Sequence, residues 1–291
     1  MKLVGIPAFN EEKTIGDIVK KSLKYSDKVL VVDDGSDDNT AKIAKESGAT
    51  VISHKKNEGY GASVITLFDR ARQEGVDMMV IIDGDGQHNP DQIPLLLDSL
   101  QENNVDVVIG SRFLDKSSGT PGYRKRGIKI ITSAANLGAD YKVSDAQSGF
   151  RAYSKKAIES IYPTETGMAV STEILLKISN KGLSIAEVPI TVSYGEGTSS
   201  EHPVPHGIAV LMNILKFISV KHPIPFYGFP GVGLVIVGSI LAYQFLDAYL
   251  NRQVIFLGSL MAAIILFLVG TILCVTSVIL FSMATLIREK Q

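Results

Sequence analysis

The run Met78 to Ile82 is apolar and ends abruptly in Asp83-Gly84-Asp85-Gly86. A short apolar run closed by turn residues reads as a strand covered on both faces, so the sheet that holds it must be layered between helices. The glycines mark where the chain leaves the sheet. Side chains alternate along an extended strand, which places Asp83 and Asp85 on one side. Open α/β sheets hold their ligands at the carboxyl ends of such strands. Two carboxylates there suit a hard divalent cation, Mg²⁺ or Mn²⁺, with a diphosphate supplying further oxygens. A lone Asp-Gly turn in solvent would look the same, so the flanking sequence has to decide.

That sequence alternates strand and helix. Residues 3–6, 28–32, 50–53, 78–82 and 105–110 read as strands. Helical patterns stand between them, starting after Asn10, after Asn39 or Thr40, near Ala62 and at Pro90. The pattern predicts an α/β fold with a mostly parallel sheet and helices on both faces. Each polar cluster falls at the carboxyl end of a strand: PAFNEE, DDGS, HKKNEGYG, DGDG and SR. A dinucleotide-binding alternative would need a glycine-rich turn after the first strand, and Pro7-Ala8-Phe9-Asn10 offers none.

The formal net charge of -1 over 291 residues gives no reason to propose a nucleic-acid partner. Beyond residue 222 the only charged side chains are Asp247, Arg252, Arg288, Glu289 and Lys290. Two apolar stretches lie in that tail, about 227–246 and 254–287, each reaching the roughly 20 residues that cross a bilayer. The connector 247–253 is short, which predicts a transmembrane hairpin. Lys216, Lys221, Arg288 and Lys290 flank its outer ends, placing both ends and the preceding domain on the cytoplasmic face. Residues 206–223 read as an amphipathic helix at the interface. The expected organisation is a catalytic domain over 1–205, this helix, and a membrane hairpin over 224–291. The start, MKLVGIPAFNEE, enters a strand at once and leaves no room for a signal peptide. Cys274 is the single cysteine, so neither a disulfide framework nor a cysteine metal site is expected.

In order and at suitable separations, IPAFNEE, VVDDGSDDNT, NEGYGAS, DGDGQHNP and GSRF resemble the family 2, GT-A type glycosyltransferases. The resemblance implies a donor that is a nucleotide diphosphate sugar, GDP- or UDP-hexose, and a Mg²⁺ or Mn²⁺ cofactor. It also implies that Pro7, Phe9 and Glu11 of the first loop line the nucleotide pocket, with Asp33 and Asp34 of the second. Asn57 and Gly59 fall where the backbone passes the nucleotide, and Gly84 lies between the two metal-site aspartates. Gln87 matches a DxDxQ pattern and joins Asp83 and Asp85 as a metal-site residue. From the residues alone, Phe9 serves equally as a stacking ring or as core, and Asp33 and Asp34 equally as hydrogen-bond acceptors or as turn formers.

With the amphipathic helix and the hairpin added, the resemblance narrows to dolichol-phosphate and polyprenol-phosphate sugar synthases. It implies transfer with inversion to a membrane polyprenyl phosphate. Basic residues then have a task, because arginine binds phosphate oxygens in a bidentate manner. Arg112 and Arg126 are the expected catalytic phosphate contacts beside Asp85, with Arg124, Arg126 and Arg151 at the acceptor phosphate; a solvated loop is the alternative for 124–126. A membrane glycosyltransferase acting on a glycan hydroxyl, in the manner of polysaccharide synthases, is the competing reading. Such enzymes usually carry a QxxRW signature and more spans, and this chain has no tryptophan.

Overall fold

The computed structural model describes residues 1–114, 128, 129, 131–133, 135, 136, 142–193, 212, 215, 219, 223–252 and 257–289. The chain divides into two compact units, Met1–Ile214 and Leu215–Gln291.

In the first unit, β1 (Lys2–Ala8), β2 (Lys28–Asp33), β3 (Thr50–Ser53) and β4 (Met78–Ile81) are parallel. They alternate with α1 (Ile15–Ser22), α2 (Thr40–Glu46), α3 (Tyr60–Gln73) and α4 (Ile93–Glu102). Then come β5 (Val107–Ser111), β6 (Arg151–Ser154), α5 (Lys155–Ser160), α6 (Val170–Asn180) and β7 (Ile185–Pro189). The sheet order is β3-β2-β1-β4-β6-β5-β7. Its interior strands are buried apolar runs, Val29 to Val32 and Met79 to Ile81 among them, as a sheet between two helical layers requires. β1 pairs with β2 on one side and β4 on the other, so the connection leaving β1 and the one leaving β4 run in opposite directions. A crevice at the carboxyl ends follows from that topology.

Several expectations change. β1 runs through Pro7, which is buried opposite Val32; its last pairing with β4 is Gly5 with Ile81. The proline, which lacks an N–H, therefore sits past the point where β4 departs. Its burial removes it as a platform for a nucleotide base. Asn10 starts no helix: its backbone is left-handed (φ 58°), and the residue before α1 is Thr14, four positions after the expected cap. β4 stops at Ile81, so Asp83 and Asp85 lie in a turn rather than on one face of a strand.

The largest departure is β6, an antiparallel strand inserted between β4 and β5. It begins at Arg151, expected at the acceptor phosphate. Arg151 is only 1% exposed, and its guanidinium donates to the carbonyls of Ser148 (2.8 Å), Ser171 (2.8 Å) and Ala146 (2.9 Å). Its fork is closed on backbone, so it ties the 146–148 segment to α6 and is not a phosphate ligand. Replacing Arg151 with Met should strand three buried carbonyls and lower stability by about 3 kcal/mol or more. Denaturant unfolding of the purified chain measures this; a variant as stable as wild type would return Arg151 to the candidate ligands.

In the second unit a π-helical turn (Ile224–Gly228) leads into α7 (Phe229–Arg252), and α8 (Leu257–Glu289) follows. Both helices are long and apolar enough to cross a membrane. They pack closely through small residues. A side chain at Gly231 would come within 2.9 Å of the Gly270 carbonyl, and one at Gly270 within 2.7 Å of the Gly231 carbonyl. Ser277 Oγ donates to the Pro223 carbonyl at 3.2 Å. Leu, Ile, Val and Phe side chains cover the remaining, exposed faces.

Candidate active site

The crevice between the ends of β1 and β4 gathers carboxylates. Asp83 follows β4, one residue after Ile82, whose N–H still reaches the Gly5 carbonyl (3.1 Å). Thr14 Oγ1 donates to the Gly84 carbonyl at 2.6 Å, fastening the turn to the start of α1. Gly86 takes φ 75°, which lets the chain reverse, and Asp85 Oδ1 then accepts the Gln87 amide at 2.9 Å. The Asp85 side chain is partly exposed. Asp83 is more fully engaged: Tyr60 donates to its Oδ1 at 2.9 Å, and His88 Nε2 lies 3.5 Å from its Oδ2.

Glu11, at the end of the β1 loop, completes the group. Its amide donates to Thr40 Oγ1 (2.7 Å) and its carboxylate accepts from Thr14 Oγ1 (3.3 Å). Burial and the charges of Asp85, Asp38 and Asp83 push the Glu11 carboxyl up to about 7. Burial and the neighbouring Asp83 push Asp85 up to about 6. Asp83 goes the other way: burial raises it, but hydrogen bonds from His88 and Tyr60 and the charge of Arg112 outweigh that and lower it. The two raised acids, Glu11 and Asp85, border the crevice together with the ionised Asp83.

Among the described residues, no three His, Cys, Asp or Glu side chains converge to hold an ion by themselves. Asp85, partly exposed, and Asp83 beside it fit a hard cation that takes its other oxygens from a ligand such as a diphosphate. Gln87 is partly buried next to them.

The other expected residues divide by what holds them. Phe9, 38% exposed at the end of β1, has a face open to a flat partner. Asp33, at the end of β2, accepts the Ser36 amide at 3.2 Å. Asp34 is occupied on both oxygens: Oδ1 accepts from Glu58 N (3.0 Å) and His54 Nδ1 (2.7 Å), and Oδ2 from Gly59 N (2.8 Å). It clamps the neighbouring loop instead of presenting a free acceptor. Gly59 has φ 101°, and a side chain there would meet the Thr166 carbonyl at 2.5 Å. Its left-handed backbone and the closeness of the 165–167 backbone already require glycine. Asn57 is exposed on that loop. Arg112 pairs with the fully buried Asp145 through Nε (2.6 Å) and Nη2 (2.7 Å), so its fork faces a carboxylate. Arg124 and Arg126 lie outside the described residues.

Sequence residues 3–162 match the profile described as glycosyl transferase family 2. The chain belongs to that family. This glycosyltransferase is 33% identical over 213 residues to the UDP-N-acetylglucosamine--dolichyl-phosphate N-acetylglucosaminyltransferase of Methanococcus voltae, covering 66% of this chain and 85% of that one. It is 31% identical over 214 residues to the dolichyl-phosphate hexose transferase of Haloferax volcanii, covering 72% and 90%. In fold it is similar to glucosyl-3-phosphoglycerate synthase of Mycobacterium tuberculosis, solved with Mn²⁺ and UDP-glucose: TM-score 0.59, 23% identity, 76% of this chain and 78% of that one.

Three residues around this crevice were not singled out from sequence. Tyr60 and His88 hold Asp83, and His54 holds Asp34. Tyr60 and His88 were legible only as neighbours of motif residues, in NEGYG and DGDGQH. His54 had no signal beyond ending a strand.

The crowded acids fix a pH dependence. A carboxyl whose folded pKa is raised binds more protons folded than unfolded, so its stabilising effect is present at low pH and lost as pH rises through the folded value. Without divalent cation, the thermal midpoint should therefore fall between about pH 4.5 and 7 through Glu11 and Asp85. Glu11→Gln should flatten that fall, and Mn²⁺ should raise the midpoint more at pH 7.5 than at pH 5, because the ion competes with the protons. Asp85→Asn should abolish the Mn²⁺ effect. Thermal melts at the two pH values, with and without Mn²⁺, read all of these; a Mn²⁺ response that survives Asp85→Asn would remove Asp85 from the metal site.

Proposed function

We propose that this glycosyltransferase moves a hexose from a nucleotide diphosphate sugar, GDP- or UDP-linked, to a polyprenyl phosphate such as dolichyl phosphate. The product is a lipid-phosphate sugar, a donor for glycoconjugate assembly such as N-glycosylation. The observation that carries the reading is the pair of apolar helices, α7 and α8, in the chain of a family 2 glycosyltransferase. An enzyme anchored in a bilayer meets its acceptor at the membrane surface. The two relatives from Methanococcus voltae and Haloferax volcanii are named for dolichyl-phosphate acceptors, which supports it.

The proposed organisation keeps a catalytic domain over 1–205 on the cytoplasmic face, an interfacial helix over 206–223 and a membrane hairpin over 224–291. Lysines and arginine at the outer ends of the hairpin favour that orientation.

Chemically, one bond forms and one breaks. A lipid monophosphate has a second pKa of about 6, so near pH 7 its oxygen is already a nucleophile and needs no base. That oxygen attacks the anomeric carbon from the face opposite the departing diphosphate, and the configuration inverts. Phe9 stacks on the base, and Asp33 and the exposed Asn57 stand at the edge of the nucleotide site. Asp85 and Asp83, with Gln87, would hold Mg²⁺ or Mn²⁺, which supplies positive charge to the leaving diphosphate. Asp145 orients Arg112, whose charge acts at Asp83. Arg126, with Arg124, is the proposed cradle for the acceptor phosphate.

A glycan hydroxyl, the alternative acceptor, has a pKa near that of water and would need a positioned general base. Radiolabel transfer from a panel of GDP- and UDP-sugars should label dolichyl phosphate and leave the free polyprenol unlabelled. Arg126→Ala should raise KM for the lipid phosphate with little change in nucleotide affinity, and Arg126→Lys should restore it only in part. Efficient glycosylation of the free alcohol would overturn the lipid-phosphate assignment.

A further inference from the structure

We propose that Tyr60 is a positioning residue for Asp83, set in place by a latch that Asp34 and His54 make on the 57–59 turn. The proposal rests on the reading of Asp83 as a carboxylate of the donor site.

The latch begins just past β2. Asp34, 3% exposed, accepts the amides of Glu58 and Gly59, and the Nδ1–H of His54 donates to the same carboxylate. The other ring nitrogen of His54, Nε2, lies 3.0 Å from Thr66 Oγ1, one turn and a half into α3. The imidazole therefore spans from the end of β3 to the helix that the turn begins. An aspartate facing two amides and an imidazole has a single orientation, and it fixes the turn from one side.

Backbone fixes the turn from the other side. The Ala62 amide donates to the Thr166 carbonyl at 3.1 Å. A side chain at Gly59 would fall 2.5 Å from that carbonyl, and one at Gly61 would fall 2.1 Å from the Glu165 carbonyl. Tyr60, between these two glycines, is the first residue of α3. With both neighbours held, its ring has one direction available, and the hydroxyl reaches Asp83 Oδ1 at 2.9 Å.

Asp83 is enclosed at that point. A side chain on Gly149 would stand 2.6 Å and 2.8 Å from its two oxygens and 2.8 Å from the Tyr60 hydroxyl. Asp83 thus has its direction set by Tyr60, His88 and the Gly149 backbone, whereas Asp85 is held by its own loop alone. The arrangement assigns Asp83 to orientation and leaves Asp85 adaptable. A nucleotide that shares a cation with these residues would feel the loss of the Tyr60 hydroxyl, while one bound through its base would not.

The test is calorimetric titration of UDP and of GDP into the purified full-length protein, with and without Mn²⁺. Tyr60→Phe, which keeps the ring, should weaken Mn²⁺-dependent binding about tenfold, the size of one lost bond to a charged acceptor. Metal-free nucleotide affinity should stay within about twofold, because the base contacts are elsewhere. His54→Ala should reproduce the loss, His54→Asn should recover most of it by supplying a donor to Asp34, and the His54→Ala/Tyr60→Phe pair should be no worse than Tyr60→Phe alone. Unchanged Mn²⁺-dependent binding in Tyr60→Phe, or an equal loss with and without Mn²⁺, overturns the positioning role. Additive losses in the double variant overturn the latch. A wild-type protein whose nucleotide binding ignores Mn²⁺ overturns the donor-site reading and this proposal with it.

Discussion

Like charges held together against their repulsion organise this molecule. Asp83, Asp85 and Glu11 come from two strand ends that the topology forces side by side, and their partial burial thins the solvent that would screen them. Two of the three acids answer by holding their protons to higher pH. The third stays ionised because Tyr60, His88 and the field of Arg112 favour its charge. That imbalance is what a cation and a diphosphate would relieve together, and it explains why the surrounding loops are so heavily fastened: Thr14 to Gly84, Asp34 to the 57–59 turn, Gly149 against Asp83. A turn carrying repelling groups stays closed only if its backbone is held.

The sequence exposed the parallel half of the sheet well, because interior strands there are continuous apolar runs and each ends in a polar cluster. Even so, Asp83 and Asp85 are neighbours for a different reason than strand alternation: a glycine turn, not a pleat, places them together. The second half was less legible. β6 has only four residues and opens with an arginine, which reads as a surface or ligand group. Nothing in a one-dimensional pattern announces that three carbonyls will surround it. The same limit applies to Asp34 and Arg112. Sequence identified them as polar groups near the site, whereas their partners, the 58–59 amides and Asp145, are decided by loops that cross in space.

The glycines show a related point. Gly59 looked like room for a nucleotide, and it, like Gly61, gives room to the 165–167 backbone. A glycine signals that something approaches closely, without telling whether it is a ligand or another part of the chain. Only the left-handed turn at Gly86 serves the acidic loop in the way the sequence implied.

The insertion of β6 between β4 and β5 also bears on how such a chain emerges from the ribosome. After β5 has been made, β4 still lacks its neighbour on one side, and Met79, Val80 and Ile81 remain an open apolar edge able to pair with another chain. That edge closes only when the arginine-led strand, synthesised some forty residues later, threads into the gap. The same event carries Gly149 onto Asp83, so burial of the edge and completion of the acidic crevice are one step. A nascent chain that has not yet sealed its sheet has no finished acidic crevice.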